Sequence, residues 1–509
     1  MNNRNNRRRT ILILLIALAA YGLLLGLLVW AEDGQGGDPI DSLPEALWYS
    51  LVTLTTVGYG DLYPRTPVGR LVGLVFLLMS TGLLALLIGV VIASLTNRLL
   101  PGLRLWLNRG RRWYVFSTDN AASRTLAGRL DDGFVVYCRS DACRQLADGL
   151  ALPENPETLF DRPVARKGER LFFAMDKDAL ANERDALALG ERPRHIFCRT
   201  EAPGEGLPAH ITPFNEFECC ARLYWQARPW AVAGERVALL GSGRYARALL
   251  EQGLLTAPPG CAAELFGDWT EWRELHRALT DLPEPSVELC FHARDWQAHG
   301  EALRRAGRVV ICGDDARANL DALHQLRLYC PISGAIDVRS AQGLQAAFYF
   351  GQGEALFTPE LVMKQSLNRL ARQMHGLYRA QAGDTVPAWE ALPDFLKRSN
   401  LAAADHLLTK ARWLLPEAEV TALTPGVCAR AAERFEALSG PERERCRRIE
   451  HNRWVLFHAL HGWRYAPTRD NAAREHPLMI PYEALDEAER LKDDNAWLLL
   501  GTLAKDNKL

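Results

Sequence analysis

Two runs without a charged residue decide what the first hundred residues can become. Residues 11–30, ILILLIALAAYGLLLGLLVW, match the ~20 apolar residues a helix needs to cross a bilayer. Residues 71–97, LVGLVFLLMSTGLLALLIGVVIASLTN, are longer, enough to span with tilt. The first run exceeds the apolar core of about 7–15 residues in a signal peptide, so two membrane spans are predicted. Arg4, Arg7, Arg8 and Arg9 precede the first span, and Arg98, Arg104, Arg109, Arg111 and Arg112 follow the second. The positive-inside rule then predicts a multi-pass protein of the plasma (inner) membrane with N- and C-termini cytoplasmic. The intervening loop faces outward and begins with Glu32, Asp33, Asp38 and Asp41 but no Lys or Arg, a negative potential that concentrates cations.

At 509 residues the chain exceeds one hydrophobic core and suggests three or four units at roughly 150 residues each. Sixty basic residues against sixty-one acidic ones create no general field for nucleic acid, and none is expected as a partner. All eleven cysteines, from Cys138 onward, fall on the expected cytoplasmic side and read as reduced thiols. No CxxC spacing occurs, and His451, His458 and His461 have no second ligand cluster, so no metal site is expected.

Between the spans lies Thr53–Pro64, TLTTVGYGDLYP. Pro44 and Glu45 suit a helix N-terminus, so 44–55 reads as a short re-entrant pore helix too short to cross. Irregular backbone at membrane depth is tolerated where it lines a watery cavity, so TVGYG should line a pore. Its carbonyls would replace an ion's hydration shell, and Gly58 and Gly60 permit the backbone conformations this needs. Residues Thr56-Val57-Gly58-Tyr59-Gly60-Asp61 resemble the potassium-channel selectivity filter. The resemblance implies a homotetramer in the lipid bilayer, four filters around one axis and K+ as the permeant ion. It further implies Trp48 and Tyr49 as filter support, with the Trp48 indole in reach of Asp61. Some members carry a carboxylate where this chain has Val52, which leaves their inactivation mechanism without a counterpart here. Gly82 and Gly89 in the second span are either gating hinges or packing contacts. No arginine-rich membrane helix precedes the pore, which argues against steep voltage gating.

Beyond a 98–111 linker, WYVFSTDNAASRTLAGRL and RVALLGSGRYARALLEQGL each read as strand, small-residue turn and amphipathic helix. Short apolar runs then alternate with helical stretches, predicting two Rossmann-like α/β domains at 112–233 and 234–345. They resemble the RCK domains that form gating rings below prokaryotic channels. Gly241, Gly243 and Ala246 form a G-x-G-x-x-A turn, with Asp268 spaced to bind a ribose hydroxyl; the turn is either a phosphate cradle or a packing device. The first turn has Ser117, Asp119 and Ala122 in place of glycines. A helical connector, 346–387, leads to 388–509, where W-x2-L-x2-F-x3-SN followed by EHNRW and GWRY resembles the ryanodine-receptor (RyR) repeat domain. There Glu450, Arg453, Trp454, Trp463, Arg464 and Tyr465 either hold a nucleotide-like ligand between cations and π faces or form core and an internal pair.

The expected architecture is thus a short cytoplasmic N-terminus (1–10) and a membrane α-helical pore domain (11–97; spans 11–30 and 68–97, filter 56–61). Cytoplasmic α/β Rossmann-like domains and a mainly α C-terminal RyR-like domain follow. The expected function is a K+-selective channel gated by a small molecule, a nucleotide or cyclic nucleotide. The alternatives are a pore-anchored nucleotide or redox sensor and a nucleotide-dependent enzyme tethered to a channel. No Ser/His/Asp order, H-E-x-x-H or P-loop supports catalysis, and no enzyme activity is expected.

Overall fold

The computed structural model describes the chain except residues 1, 35–39, 56, 202–206, 280–281, 283–284, 286, 294–295, 341–346, 383–385 and 506–509, and the side chains of 2–15, 17, 54, 79–80, 83, 97–98 and 381–382. It divides into two units, Met1–Leu107 and Asn108–Leu509. The first holds α1 (Asn2–Glu32), α2 (Leu43–Leu54) and α3 (Pro67–Ser94). Ser42 and Glu45 form a capping box that starts α2, and Thr66 accepts from the Gly69 N–H to start α3, each with proline in the first turn. Leu25, Leu28, Ala46, Val72 and Phe76 form a small core. The buried Glu32 carboxylate accepts the Arg65 and Thr66 N–H groups, both at 2.9 Å, and the Thr66 hydroxyl at 2.7 Å, fastening the end of α1 to the start of α3. Helical structure continues through a π-helical turn, Leu95–Leu99, and Leu100–Leu107, into the segment expected as a linker. Pro101, which has no N–H to donate, lies just beyond that turn. Among the described residues no helix is long and apolar enough to cross a membrane; parts of the charge-free runs in α1 and α3 lie among the side chains not described.

The second unit opens with a seven-stranded sheet: β1 (Trp113–Phe116), β2 (Phe134–Tyr137), β3 (Arg144–Leu146), β4 (Gly149–Ala151), β5 (Arg170–Ala174), β6 (His195–Arg199) and β7 (Ile211–Phe214). Its order is β3-β4-β2-β1-β5-β6-β7, parallel except for β3 on β4. Helices α4 (Ala121–Ala127), α5 (Ala179–Leu189) and α6 (Glu216–Ala227) accompany it. A second sheet contains β8 (Arg236–Leu240), β9 (Cys261–Phe266), β10 (Val287–His292), β11 (Arg308–Ile311), β12 (Ala335–Arg339) and β13 (Phe348–Phe350), all parallel in the order β10-β9-β8-β11-β12-β13. Helices α7 (Arg244–Thr256) and α8 (Ala316–Tyr329) belong to it. Central strands such as WYVF and RLFFA are buried along their length, as continuous apolar runs between helical layers should be. In each sheet the order reverses at one point, between β1 and β5 and between β8 and β11, where doubly wound folds open a crevice.

One core runs through both sheets, including Phe116, Phe173, Leu239 and Val310. Helices α6 and α7 are its seam: the Trp225 indole donates to Leu249 O (2.8 Å) and the neighbouring Trp230 indole to Gly253 O (2.9 Å). A Cβ on Gly253 would stand 2.7 Å from Trp225, so the close approach needs glycine there. β13 lies past the boundary expected at 345, because Phe350 packs on Tyr224 of α6 (4.6 Å between centroids).

The last part is built from α9 (Asp394–Asp405), α10 (Leu407–Leu414), α11 (Pro425–Glu436), α12 (Gly440–Leu460) and α13 (Asn495–Lys505), around Leu407, Ala431, Phe435 and Trp497. It is keyed into both sheet regions. Arg222 on α6 donates to both Asp405 oxygens (2.7 and 3.1 Å), to Asn368 (2.8 Å) and to Leu367 O (2.7 Å), while Gln252 on α7 donates to Asp405 at 2.9 Å. Thr409 donates to Thr256 O at 2.7 Å. Asp405→Ala would strand a buried guanidinium, at a cost of about 3–5 kcal/mol, so the unfolding midpoint of this unit should fall sharply. An unchanged midpoint in thermal or denaturant unfolding would show that the pair does not hold the helices in place.

Candidate functional site

In the first unit the segment after α2 is pinned at both ends. The Val57 and Gly58 N–H groups point at Val52 O (3.1 and 3.3 Å), so the residue where a carboxylate would stand in some channels contributes its carbonyl instead. Gly58 and Gly60 adopt left-handed φ values of 55° and 72°, which a residue with a Cβ resists. The Trp48 indole donates to Asp61 Oδ2 at 2.8 Å, and its ring lies parallel to Tyr59, 6.2 Å between centroids and 2° between planes. Tyr49 turns toward α3, where a Cβ on Gly73 would meet its hydroxyl at 3.1 Å. Val57, Tyr59 and Trp48 leave much of their surface uncovered within one chain, at 51%, 68% and 47% exposure. Thr56 lies outside the described residues. Gly82 and Gly89 sit within continuous α-helix, and a Cβ on either would meet nothing within 4 Å beyond the helix's own backbone.

The two Rossmann-type turns differ in sequence, and each is closed by side chains of its own sheet region in a different way. After β8, Gly241 takes φ 132° and α7 begins at Arg244. Across the switch point Gly313-Asp314 follow the end of β11, and the Asp314 carboxylate accepts the Arg244 and Tyr245 N–H groups, each at 3.2 Å. A Cβ on Gly243 would stand 2.6 Å from that carboxylate. The glycine therefore makes room for an anion, but the anion present belongs to the chain. Arg339 fixes the loop by donating to Gly313 O (2.9 Å) and Asp314 O (2.6 Å). Ala246 is buried in α7. Asp268, at the end of the adjacent β9, turns its carboxylate onto the Thr270 N–H (3.0 Å). In the first sheet Ser117 Oγ accepts the Met175 N–H (2.9 Å), and Asn120 caps α4 through the Ser123 N–H (2.8 Å). The Arg124 guanidinium beside Asp119 (2.7 Å), joined by Arg144, holds the Asp119 carboxyl below its usual range.

The six RyR-region candidates go to three separate places. Glu450 and Arg453 are interior: Arg453 reaches both Glu450 oxygens (2.6 and 3.1 Å), and the buried Lys410 Nζ stands 2.8 Å from the same carboxylate. Burial alone would raise the Glu450 carboxyl, but Arg453 and Lys410 hold it well below its usual range. Trp454 and Trp463 join an aromatic and imidazole cluster. Trp454 lies 3.9 Å from His458 and 4.9 Å from His476, and Trp463 lies 5.2 Å from Phe395, centroid to centroid. Arg464 and Tyr465 are on the surface, Arg464 paired with Glu475 at 2.7 Å. Sequence reasoning missed His406, Lys410 and Asp493 around the buried carboxylate. The i,i+4 spacing of His406 and Lys410 and the i,i+3 spacing of Glu450 and Arg453 were the available signals.

The first unit thus carries an extended loop with two left-handed glycines between helices, and the second carries two doubly wound sheets and a helical module. In comparison with known proteins, residues 10–97 match the ion channel family model and residues 442–503 the RyR domain. The voltage-gated potassium channel of Aeropyrum pernix is 44% identical over 63 residues, 12% of this chain and 21% of that one. The potassium voltage-gated channel protein shk-1 of Caenorhabditis elegans is 37% identical over 84 residues, 16% of each chain. The chain thus spans about a fifth or less of the length of these curated relatives. The solved structure of GsuK bound to ADP is 16% identical, with a TM-score of 0.36, and covers 72% of this chain and 100% of that one.

The buried charges set a pH optimum for the fold. Burial and the nearby Glu450 charge push the Asp493 carboxyl up to about 8, against Arg453 and Lys410. Folded Asp493 therefore keeps its proton where the unfolded side chain has lost it, and its contribution to stability should fall by up to about 1.4 kcal/mol per pH unit from about 4 to about 8. Burial lowers His458 to about 3, His461 to about 4 and His406 well below its usual value. Below about 6.5 the unfolded histidines take up protons that the folded ones refuse, so stability falls again toward acid. Unfolding midpoints measured from pH 5.5 to 8.5 should peak near neutrality, and Asp493→Asn should flatten the alkaline limb and steepen the acid one.

Proposed function

We propose that the chain is one subunit of a homotetrameric channel that conducts K+ passively across the plasma membrane, with both termini in the cytoplasm. α1 and α3 cross the bilayer, and α2 dips in to aim its C-terminal dipole at the ion path. The observation that carries this reading is the 57–61 backbone. Its left-handed glycines are braced from behind by the Trp48–Asp61 bond, between helices that match an ion-channel family. Such a segment aims carbonyls rather than side chains at an ion, as dehydrated K+ requires. The exposed faces of Val57 and Tyr59 suit contact with neighbouring subunits, and the exposed leucines of α3 suit lipid. Gly82 and Gly89 remain candidate hinges of that helix.

The second unit is the regulatory part, and its ligand is nucleotide-like. Because Asp314 occupies the α7 N-terminus, the Gly241–Gly243 turn serves this role only if that carboxylate withdraws. A ligand gates by binding one arrangement of the cytoplasmic unit better than another, and a swing from 1:99 to 99:1 needs about 5.5 kcal/mol, shared here over four subunits.

Reconstituted in planar bilayers, the protein should pass K+ and Rb+ and strongly reject Na+. Gly58→Ala should remove the current while leaving the assembly intact, because φ 55° is strained for alanine although nothing crowds the position. Equal K+ and Na+ permeability in the unmodified protein would sink this reading.

A further inference from the structure

Where α10, α11 and α12 meet the segment that joins the two sheets there is a pocket of about 300 Å³. Its apolar wall is Val232, Trp413, Leu414, Leu438 and Cys446, and Arg434, Glu442 and Arg445 supply its charges. None of the RyR-region residues singled out in the sequence lines it. Glu442 is engaged elsewhere: its Oε2 caps α12 by accepting the Ser439 N–H (2.8 Å) and hydroxyl (2.7 Å). Arg434 approaches Glu442 Oε1 only at 3.6 Å, beyond hydrogen-bond range. Arg445 has neither a hydrogen bond nor an ion pair among the described residues. Two guanidiniums at the mouth are thus free to donate, beside a half-buried indole.

We propose that this pocket binds a planar aromatic molecule carrying one anionic group, its ring against Trp413 and its phosphate or carboxylate between Arg434 and Arg445. The proposal rests on the reading of the second unit as ligand-sensing and gives that ligand a place and a chemistry. Guanidinium forks match the planar, multi-acceptor geometry of carboxylate and phosphate, and an indole offers a ring face. The volume is at the lower end of the roughly 300–1,000 Å³ of small-molecule pockets, which admits one ring system and one anion but not a dinucleotide. The Val232 N–H is bonded to Glu417, and Arg412 pairs with Glu417 (3.1 Å) while reaching Trp230 O (3.5 Å). The occupant would therefore touch the helical module and the inter-sheet segment together, where a small displacement of one is felt by the other.

The test uses the full chain in detergent, titrated calorimetrically with AMP and with indole-3-acetate; the tighter of the two identifies the source of the anion as phosphate or carboxylate. Adenosine and inorganic phosphate, each lacking half of the recognised chemistry, should bind much more weakly. Arg434→Gln and Arg445→Gln, both at exposed positions, should each weaken binding by roughly tenfold or more. Trp413→Leu should weaken it while Trp413→Phe restores it. No binding of either aromatic anion overturns the proposal, as does binding kept by the double arginine variant but lost in Arg464→Gln. Bound AMP with unaltered K+ current would uphold the site and refute gating through it.

Discussion

The Arg222–Asp405 pair holds the second unit together. A guanidinium with 3% of its side chain exposed gives up its hydration, and that loss is balanced only because Asp405, Asn368 and the Leu367 carbonyl all meet its donors. Those partners come from α9 and from the turn Ser366–Asn368, while Gln252 brings α7 to the same carboxylate. A buried pair of this kind adds little net stability over an apolar contact, but it tolerates one arrangement and penalises others. The helical module, α6 and α7 are thereby compelled to move together or to break a costly contact.

That coupling gives physical content to a regulatory reading. The tryptophan pair of the seam, the Thr409–Thr256 bond and the Arg412–Trp230 contact all lie along the line where the helical module meets the two sheets. A ligand that shifts α10 against the inter-sheet segment acts on a lever already engaged with both sheets. The densely packed core beneath responds by discrete repacking rather than by yielding.

What the sequence made legible was local. Charge-free runs marked α1 and α3, Pro44 and Glu45 marked the start of α2, and TVGYGD was read from its place between the two runs. The parallel sheets followed from apolar runs alternating with helical stretches. Partners distant in the chain were not legible. Glu32 reads as part of an acidic outer loop, yet it is buried by donors beyond the pore segment. Glu450 and Arg453 read equally as ligand-binding groups or as an internal pair, and Lys410, which completes the pairing, comes from another helix. Asp314 is far from Gly243 in sequence, and nothing in GSGRYA reveals that a strand across the switch point delivers a carboxylate to it. Periodicity and turn chemistry fix elements; which side chain satisfies which buried donor depends on how the elements are packed.

The Asp314 carboxylate also changes what the glycine turn is competing against. Tethered on a loop pinned by Arg339, it is present at the α7 N-terminus at an effective concentration of millimolar or more, whatever the surrounding solution contains. A dissolved phosphate must displace this resident anion before it gains anything from the helix dipole. The turn behaves as a receptor shipped with its own antagonist, and a nucleotide that occupied it would have to earn its affinity from contacts other than the phosphate.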